Sequence, residues 1–125
     1  MTASERKDWP PGINLSRLSD AKFYDPPNHF DMRAIRLQGL EAGGPEKFWV
    51  GLSHILPGGR AGPDSSPLEK VYVILSGELT LRAGGRDMVL GPLDSCCIAP
   101  DTPREIINRT NQVVSMLVVL PKVAA

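Results

Sequence analysis

The sequence is poor in the residues that most often announce a function. It has two cysteines, the adjacent pair Cys96 and Cys97. Neighbours on a strand point to opposite faces, so this pair does not easily bridge itself, and no CxxC pair suggests a zinc site. An excess of one charge is also missing. Lys plus Arg and Asp plus Glu are both 14, and no basic block stands out. That balance argues against nucleic acid and anionic membrane as partners. Residues 1–20 carry charges and Pro10–Pro11 where a signal peptide would carry an apolar core. No run approaches the roughly 20 apolar residues of a membrane-spanning helix. A cytoplasmic protein is therefore expected. A sustained helical period, an internal repeat and a low-complexity tract are absent too.

What is present reads as β structure. The chain has 125 residues, 42% of them hydrophobic, enough for one domain with one core. Its 12 glycines and 12 prolines punctuate short apolar runs. Residues 32–40, 47–56, 70–75, 78–83, 95–99, 104–108 and 113–120 are short and rich in Val, Ile, Leu, Tyr or Thr, and read as strands. Between them lie turn signals such as Pro57–Gly58–Gly59, Gly84–Gly85 and Gly91–Pro92. The predicted fold class is all-β, a sandwich or a single small jelly-roll barrel over residues 31–125. Residues 1–30 read as an N-terminal arm, polar and punctuated by Pro10–Pro11 and Pro26–Pro27, with Trp9, Phe23 and Tyr24 scattered through it. Two readings of the arm are open: a loose terminus, or a segment that docks its aromatics on the barrel or on a neighbouring subunit.

Residues 57–77, PGGRAGPDSSPLEKVYVILSG, resemble the first motif of the cupins, which runs Gly, His-x-His, Glu, Gly; Gly58 and Gly77 sit at its two ends. Residues 93–108, LDSCCIAPDTPREIIN, resemble the second motif, with Asn108 at its end and Asp94, Ile98 and Pro103 in its interior. The resemblance implies a small single-domain cupin and covers residues 45–121. Cupins of this kind usually hold one divalent metal with three His and a Glu. Here those positions carry Asp64, Ser66, Lys70 and Arg104, and Leu93, Ala99 and Asp101 replace the usual Gly, Pro and Gly of the second motif. Lys and Arg are cationic and offer no lone pair, so the expectation is that no metal and no other cofactor is held.

The replaced quartet stays polar, and the resemblance points all four side chains into the barrel mouth. A site kept only as packing could be apolar, without the cost of desolvating charge. Arg suits bidentate recognition of a carboxylate or phosphate. A lysine buried beside it has its pKa lowered and can act as a base or an amine nucleophile. Lys70, Asp64 and Arg104 are thus the candidate catalytic residues, with Ser66 as a hydrogen-bonding partner. The competing reading is that Asp64 with Lys70, or Glu69 with Arg104, form salt bridges that merely fill the site. Whether Glu69 or Lys70 faces inward is open, because a one-residue slip reverses every face.

Strand alternation extends the candidate binding set. With Lys70 inward, Tyr72 and Ile74 follow, and with Arg104 inward, Ile106 and Asn108 follow. On 47–56 the face of Trp49 and Ser53 is taken as inward, and Met116 and Val118 line the barrel from the last strand. Plain core packing competes for each of these residues. One of Cys96 and Cys97 faces the interior, where a buried thiol is usually inert. His54 and His29 lie outside both motifs, and His54 reads as an ordinary strand histidine.

Three functions follow. The first is a metal-independent enzyme of lyase, isomerase or decarboxylase type, acting on a small anionic or keto-acid substrate. Arg104 would hold the anion while Lys70 and Asp64 move protons. The second is a non-catalytic module that binds or senses a small anion. The third is a metallo-cupin dioxygenase or isomerase with atypical ligands. A homodimer is expected from the aromatic arm, from the small size of the barrel and from the cupin habit of pairing barrels.

Overall fold

The computed structural model describes residues 9–123, and all its regular structure is β apart from two short 3-10 turns. The strands are β1 (Phe23–Tyr24), β2 (His29–Gln38), β3 (Phe48–Asp64), β4 (Lys70–Ser76), β5 (Leu79–Ala83), β6 (Arg86–Leu90), β7 (Ser95–Ile98), β8 (Arg104–Ile107) and β9 (Val114–Pro121). Their order is β6-β5-β8-β3-β9-β4-β7, with β2 on β3 and β1 on β2. These strands pair antiparallel and wrap into a nearly closed jelly-roll barrel.

β3 organises the barrel. Its first stretch pairs with β9 from Phe48↔Pro121 to Ile55↔Val114, and its second pairs with β8 from Arg60↔Ile107 to Asp64↔Arg104. Against β2 the register jumps from Met32↔Ile55 to Phe30↔Arg60, so residues 56–59 swing out as a corner. The glycines and Pro57 read as a turn are that corner. The chain does not leave the sheet there, because β2 and β8 take up the backbone groups of Arg60 and Ala61 on both sides. Two strands also went unpredicted. β6 is exposed at Arg86, Asp87, Met88 and Val89, so it shows no buried alternation, and it closes a hairpin on the Gly84–Gly85 turn. β1 pairs Phe23 with Ile35 and Tyr24 with Ala34.

The core is the inner face of these strands. Tyr72 and Ile74 of β4, Leu79 and Leu81 of β5, Ile106 of β8 and Val114, Met116 and Val118 of β9 are all buried. Each buried aliphatic of this size contributes about 1.5–3 kcal/mol. Gly77, the end of the first motif, turns β4 into β5 at φ +84, where a Cβ would stand 2.9 Å from the Val113 carbonyl oxygen. That position therefore asks for glycine.

Candidate functional site

A cavity of about 160 Å³ opens within the barrel. Lys70 and Tyr72 of β4 line it, with Arg104 and Ile106 of β8, Trp49 and Ser53 of β3, and Met116 and Val118 of β9. All eight were singled out in the sequence, whereas Ile74 and Asn108, also expected inward, are buried without lining it. Lys70 is buried and Glu69 exposed, so the lysine is the inward member of that pair.

Asp64 and Ser66 do not line the cavity. Asp64 ends β3 at the rim, beyond a register shift between Ala61 and Asp64, and its side chain is exposed. Its Oδ1 accepts the Ser65 N–H at 2.8 Å. The Ser66 Oγ is spent locally, accepting the Leu68 N–H at 3.0 Å. Both residues lie where the chain leaves the sheet, so side-chain alternation no longer aims them.

The two cations are set differently. Arg104 donates from Nη1 to the Asp64 backbone carbonyl at 3.1 Å and from Nη2 to the Tyr72 hydroxyl oxygen at 3.3 Å. The Lys70 ammonium makes no hydrogen bond among the described residues, and neither cation forms an ion pair there; ion pairs such as Arg36–Glu41, Arg82–Asp87 and Arg109–Asp87 lie elsewhere. The competing salt-bridge filler, Asp64 on Lys70 or Glu69 on Arg104, is not formed. Burial first, and then the Arg104 charge, pulls the Lys70 ammonium below the ordinary lysine range, while Asp64 opposes. Burial raises the Tyr72 hydroxyl above the usual phenol range, with Arg104 opposing, so Tyr72 stays a neutral O–H.

Tyr24, Pro26, His29, Met32 and Leu120 complete the lining, and sequence reasoning missed them. Tyr24, Pro26 and His29 come from the segment read as the arm. His29 faces inward because it stands opposite Ala61, which stands opposite Ile106, both buried. Tyr24 docks on its own barrel. The Arg36 guanidinium lies 4.0 Å from the Tyr24 ring centre and 4.5 Å from that of Trp49, and the two rings meet edge-on at 6.3 Å. This cation–π stack is a rigid wall behind the cavity. Gly51 leaves it room: a Cβ there would be 2.9 Å from the Trp49 indole. The signal available in the sequence was Pro26–Pro27 ahead of His29, a stiff turn that aims one titratable ring.

Other candidates fall away from the cavity. His54 bonds the Ser115 Oγ at 3.0 Å. Cys96 is half-buried against the core, where burial raises its thiol, and Cys97 is exposed. Asn108 is fully buried and structural: it donates to the carbonyls of Ile55 and Gln112 and accepts from the Thr110 N–H and hydroxyl.

The fold has known relatives. Residues 51–120 match the Cupin domain family model, and the chain belongs to that family. It is 46% identical over 106 residues to the protein named β-D-galactosidase Rv1717 of Mycobacterium tuberculosis, covering 85% of this chain and 91% of that one. Among solved structures it resembles the polyketide cyclase RemF of Streptomyces resistomycificus, with a TM-score of 0.78 at 21% identity over 87% of this chain and 79% of that one. It also resembles a cupin-superfamily sugar phosphate isomerase of Silicibacter pomeroyi, with a TM-score of 0.73 at 20% identity over 89% of this chain and 76% of that one.

The metal common in cupins does not fit the donors here. Among the described residues no three His, Cys, Asp or Glu side chains gather as a ligand set. Lys70 and Arg104 project charge of the ion's own sign into its place. The lining can hold an anion on two cations, shield it with apolar walls and offer it hydroxyl and imidazole groups. Among the described residues no helix is long and apolar enough to cross a membrane.

Proposed function

We propose that this chain is a metal-independent enzyme of isomerase, lyase or decarboxylase type, working by proton transfer on a small anionic or carbonyl-bearing substrate in the barrel cavity. One observation carries the reading: Lys70 and Arg104 are buried, face one cavity and have no ion-pair partner among the described residues. Buried charge is costly unless something compensates it, and a bound anion is that compensation. In such a reaction negative charge grows on the substrate oxygen, and preorganised cations stabilise it. Arg104, tied to Asp64 and Tyr72, is the orienting fork. Lys70, without a fixed partner, meets the anion. Asp64 acts from the rim as a distant charge and takes no proton from the substrate.

A second reading is hydrolysis of a β-D-galactoside, favoured by the 46% identical relative and its name. Glycoside hydrolysis usually passes through a positively charged, oxocarbenium-like transition state between two carboxylates. No Asp or Glu is among the lining residues, and two cations are. The cavity's electrostatics therefore favour the first reading. A non-catalytic anion-binding module is what remains if no turnover is found.

A thermal-shift screen of small carboxylates, keto acids and sugar phosphates, with a chromogenic β-D-galactopyranoside assayed in parallel, separates these readings. The expected result is stabilisation by an anion that Arg104→Ala weakens by about 2–5 kcal/mol. Lys70→Ala is expected to lower kcat by about 10²-fold, with no rescue by Lys70→Arg, whose planar fork presents its charge in a different geometry. Galactoside turnover that neither substitution disturbs would establish the second reading instead.

A further inference from the structure

We propose that His29 is the general base of this cavity, a neutral imidazole that takes a proton on Nε2 from an anion seated on Lys70 and Arg104. The inference rests on the anion-binding reading and names the proton acceptor that reading lacks.

The ring is held in one tautomer. His29 Nδ1 lies 2.6 Å from the Pro27 backbone carbonyl oxygen. A carbonyl oxygen only accepts, so Nδ1 carries the hydrogen, and in the neutral ring the lone pair is on Nε2. The turn that holds it is pinned to the end of β3. Gly62 N–H donates to the Asn28 carbonyl at 3.0 Å, and Asn28 Nδ2 donates to the Pro63 carbonyl at 3.2 Å. Asn28 sits at φ 58, a conformation asparagine tolerates. A carbonyl that orients the far nitrogen of a catalytic imidazole does for it what an orienting carboxylate does in other acid–base sites.

No other lining group can serve as well at neutral pH. The charged and titratable groups around His29 are Lys70 of β4, Arg104 of β8 and Asp64 at the end of β3, with the Tyr24 and Tyr72 hydroxyls in the same cavity. Arg104 is always protonated. Both tyrosines are pushed further into their neutral form by burial. Lys70 must keep its charge to hold the anion. Burial, and then Arg104 and Lys70, hold the His29 imidazolium below its ordinary range, against the Pro27 hydrogen bond and Asp64. The ring is therefore neutral and ready to accept a proton.

In the step itself, a substrate C–H or O–H bond breaks and an Nε2–H bond forms. The electron pair stays on the substrate as an enolate-type oxyanion beside Arg104 and Lys70. The imidazolium then returns the proton to a different substrate atom, restoring neutral His29. Nothing is oxidised and no co-reactant is consumed.

The test is nitrogen NMR of the full chain labelled at histidine, with inorganic phosphate as the anion probe. The expected His29 signal at pH 7 is that of a neutral ring with its hydrogen on Nδ1. Its midpoint should lie below the ordinary histidine value and rise in both Lys70→Met and Arg104→Gln. Phosphate should raise it in the parent chain and not in Arg104→Gln. A hydrogen on Nε2, or a midpoint indifferent to both substitutions, overturns the assignment. If both substitutions move the midpoint while phosphate changes neither it nor the melting temperature, the placement of the base is supported and the anion-binding reading is what fails. Melting curves of each variant confirm that the barrel is intact.

Discussion

At the residue scale the cavity trades stability for charge. Lys70 is buried without an ion-pair partner among the described residues. A well-packed apolar side chain of similar length removes the desolvation cost. Lys70→Met should therefore stabilise the fold by about 1 kcal/mol or more while abolishing anion binding; paired denaturant and thermal-shift curves read both effects. His29 adds a dependence on acid. Its folded pKa lies below the ordinary 6.5, so the unfolded chain binds more protons just beneath that value. Stability should fall as the pH drops from about 6.5 through the lowered folded value. Urea midpoints at about pH 7.5 and 5.5 should differ less in His29→Gln than in the parent chain.

At the element scale, strand pairing decides which side chains can meet. The row His29–Ala61–Ile106–Leu81 crosses four strands, and it carries the arm's histidine into the barrel interior. The Arg36 stack on Tyr24 and Trp49 fastens β1 over the same opening. The connection from β8 to β9 depends on Asn108. Its side chain meets four partners while fully buried. Truncation leaves the Ile55 and Gln112 carbonyls and the Thr110 N–H short of partners, and each buried group left unpaired costs about 1–3 kcal/mol. Asn108→Ala should thus lose about 3 kcal/mol of unfolding free energy. A loss below half of that in urea melts would mean that solvent replaces the side chain.

At the scale of the whole molecule, two expectations concern composition and assembly. The purified protein should carry no stoichiometric divalent metal, given the cations at the ligand positions. Elemental analysis after chelator-free purification checks this, and one metal per chain whose removal costs activity would refute it. A homodimer is also expected. Tyr24 is engaged with its own barrel, so the arm contributes less to such an interface than its aromatics suggest. Phe23, 64% exposed, and the half-buried Leu117 and Val73 lie towards the two ends of an apolar row across five strands whose middle members, Ile35 and Leu52, are already buried. A second copy of this small barrel covering that row would bury apolar area the monomer leaves wet. Light scattering should give the dimer mass, and Val73→Glu should shift it to the monomer. A monomer mass for the parent chain at micromolar concentration would contradict the expectation.

Much of the barrel was legible from local chemistry. Short β-branched runs, turn glycines and period-two alternation are set by neighbours in the chain, so they grouped Lys70 with Tyr72 and Arg104 with Ile106, while the choice between the Glu69 and Lys70 faces of β4 was made by the structure. The glycine and asparagine ends of the two motifs identified the family. Where alternation stops, the sequence lost its hold. Asp64 and Ser66 sit past the last regular pairing, and hydrogen bonds to adjacent backbone N–H groups, not strand phase, decide where they point. The exposed edge strand β6 has no buried face to betray it. The entry of His29 and Tyr24 was decided only by tertiary structure: His29 depends on the pairing of β2 with the second half of β3, across the corner at 56–59, and Tyr24 on the pairing of β1 with β2 opposite the first half. Pro26–Pro27 signals a stiff turn ahead of His29, but the strand on which that turn lands is not encoded locally. The chemistry of the cavity thus came from the sequence, and its proton acceptor from the way distant segments close over it.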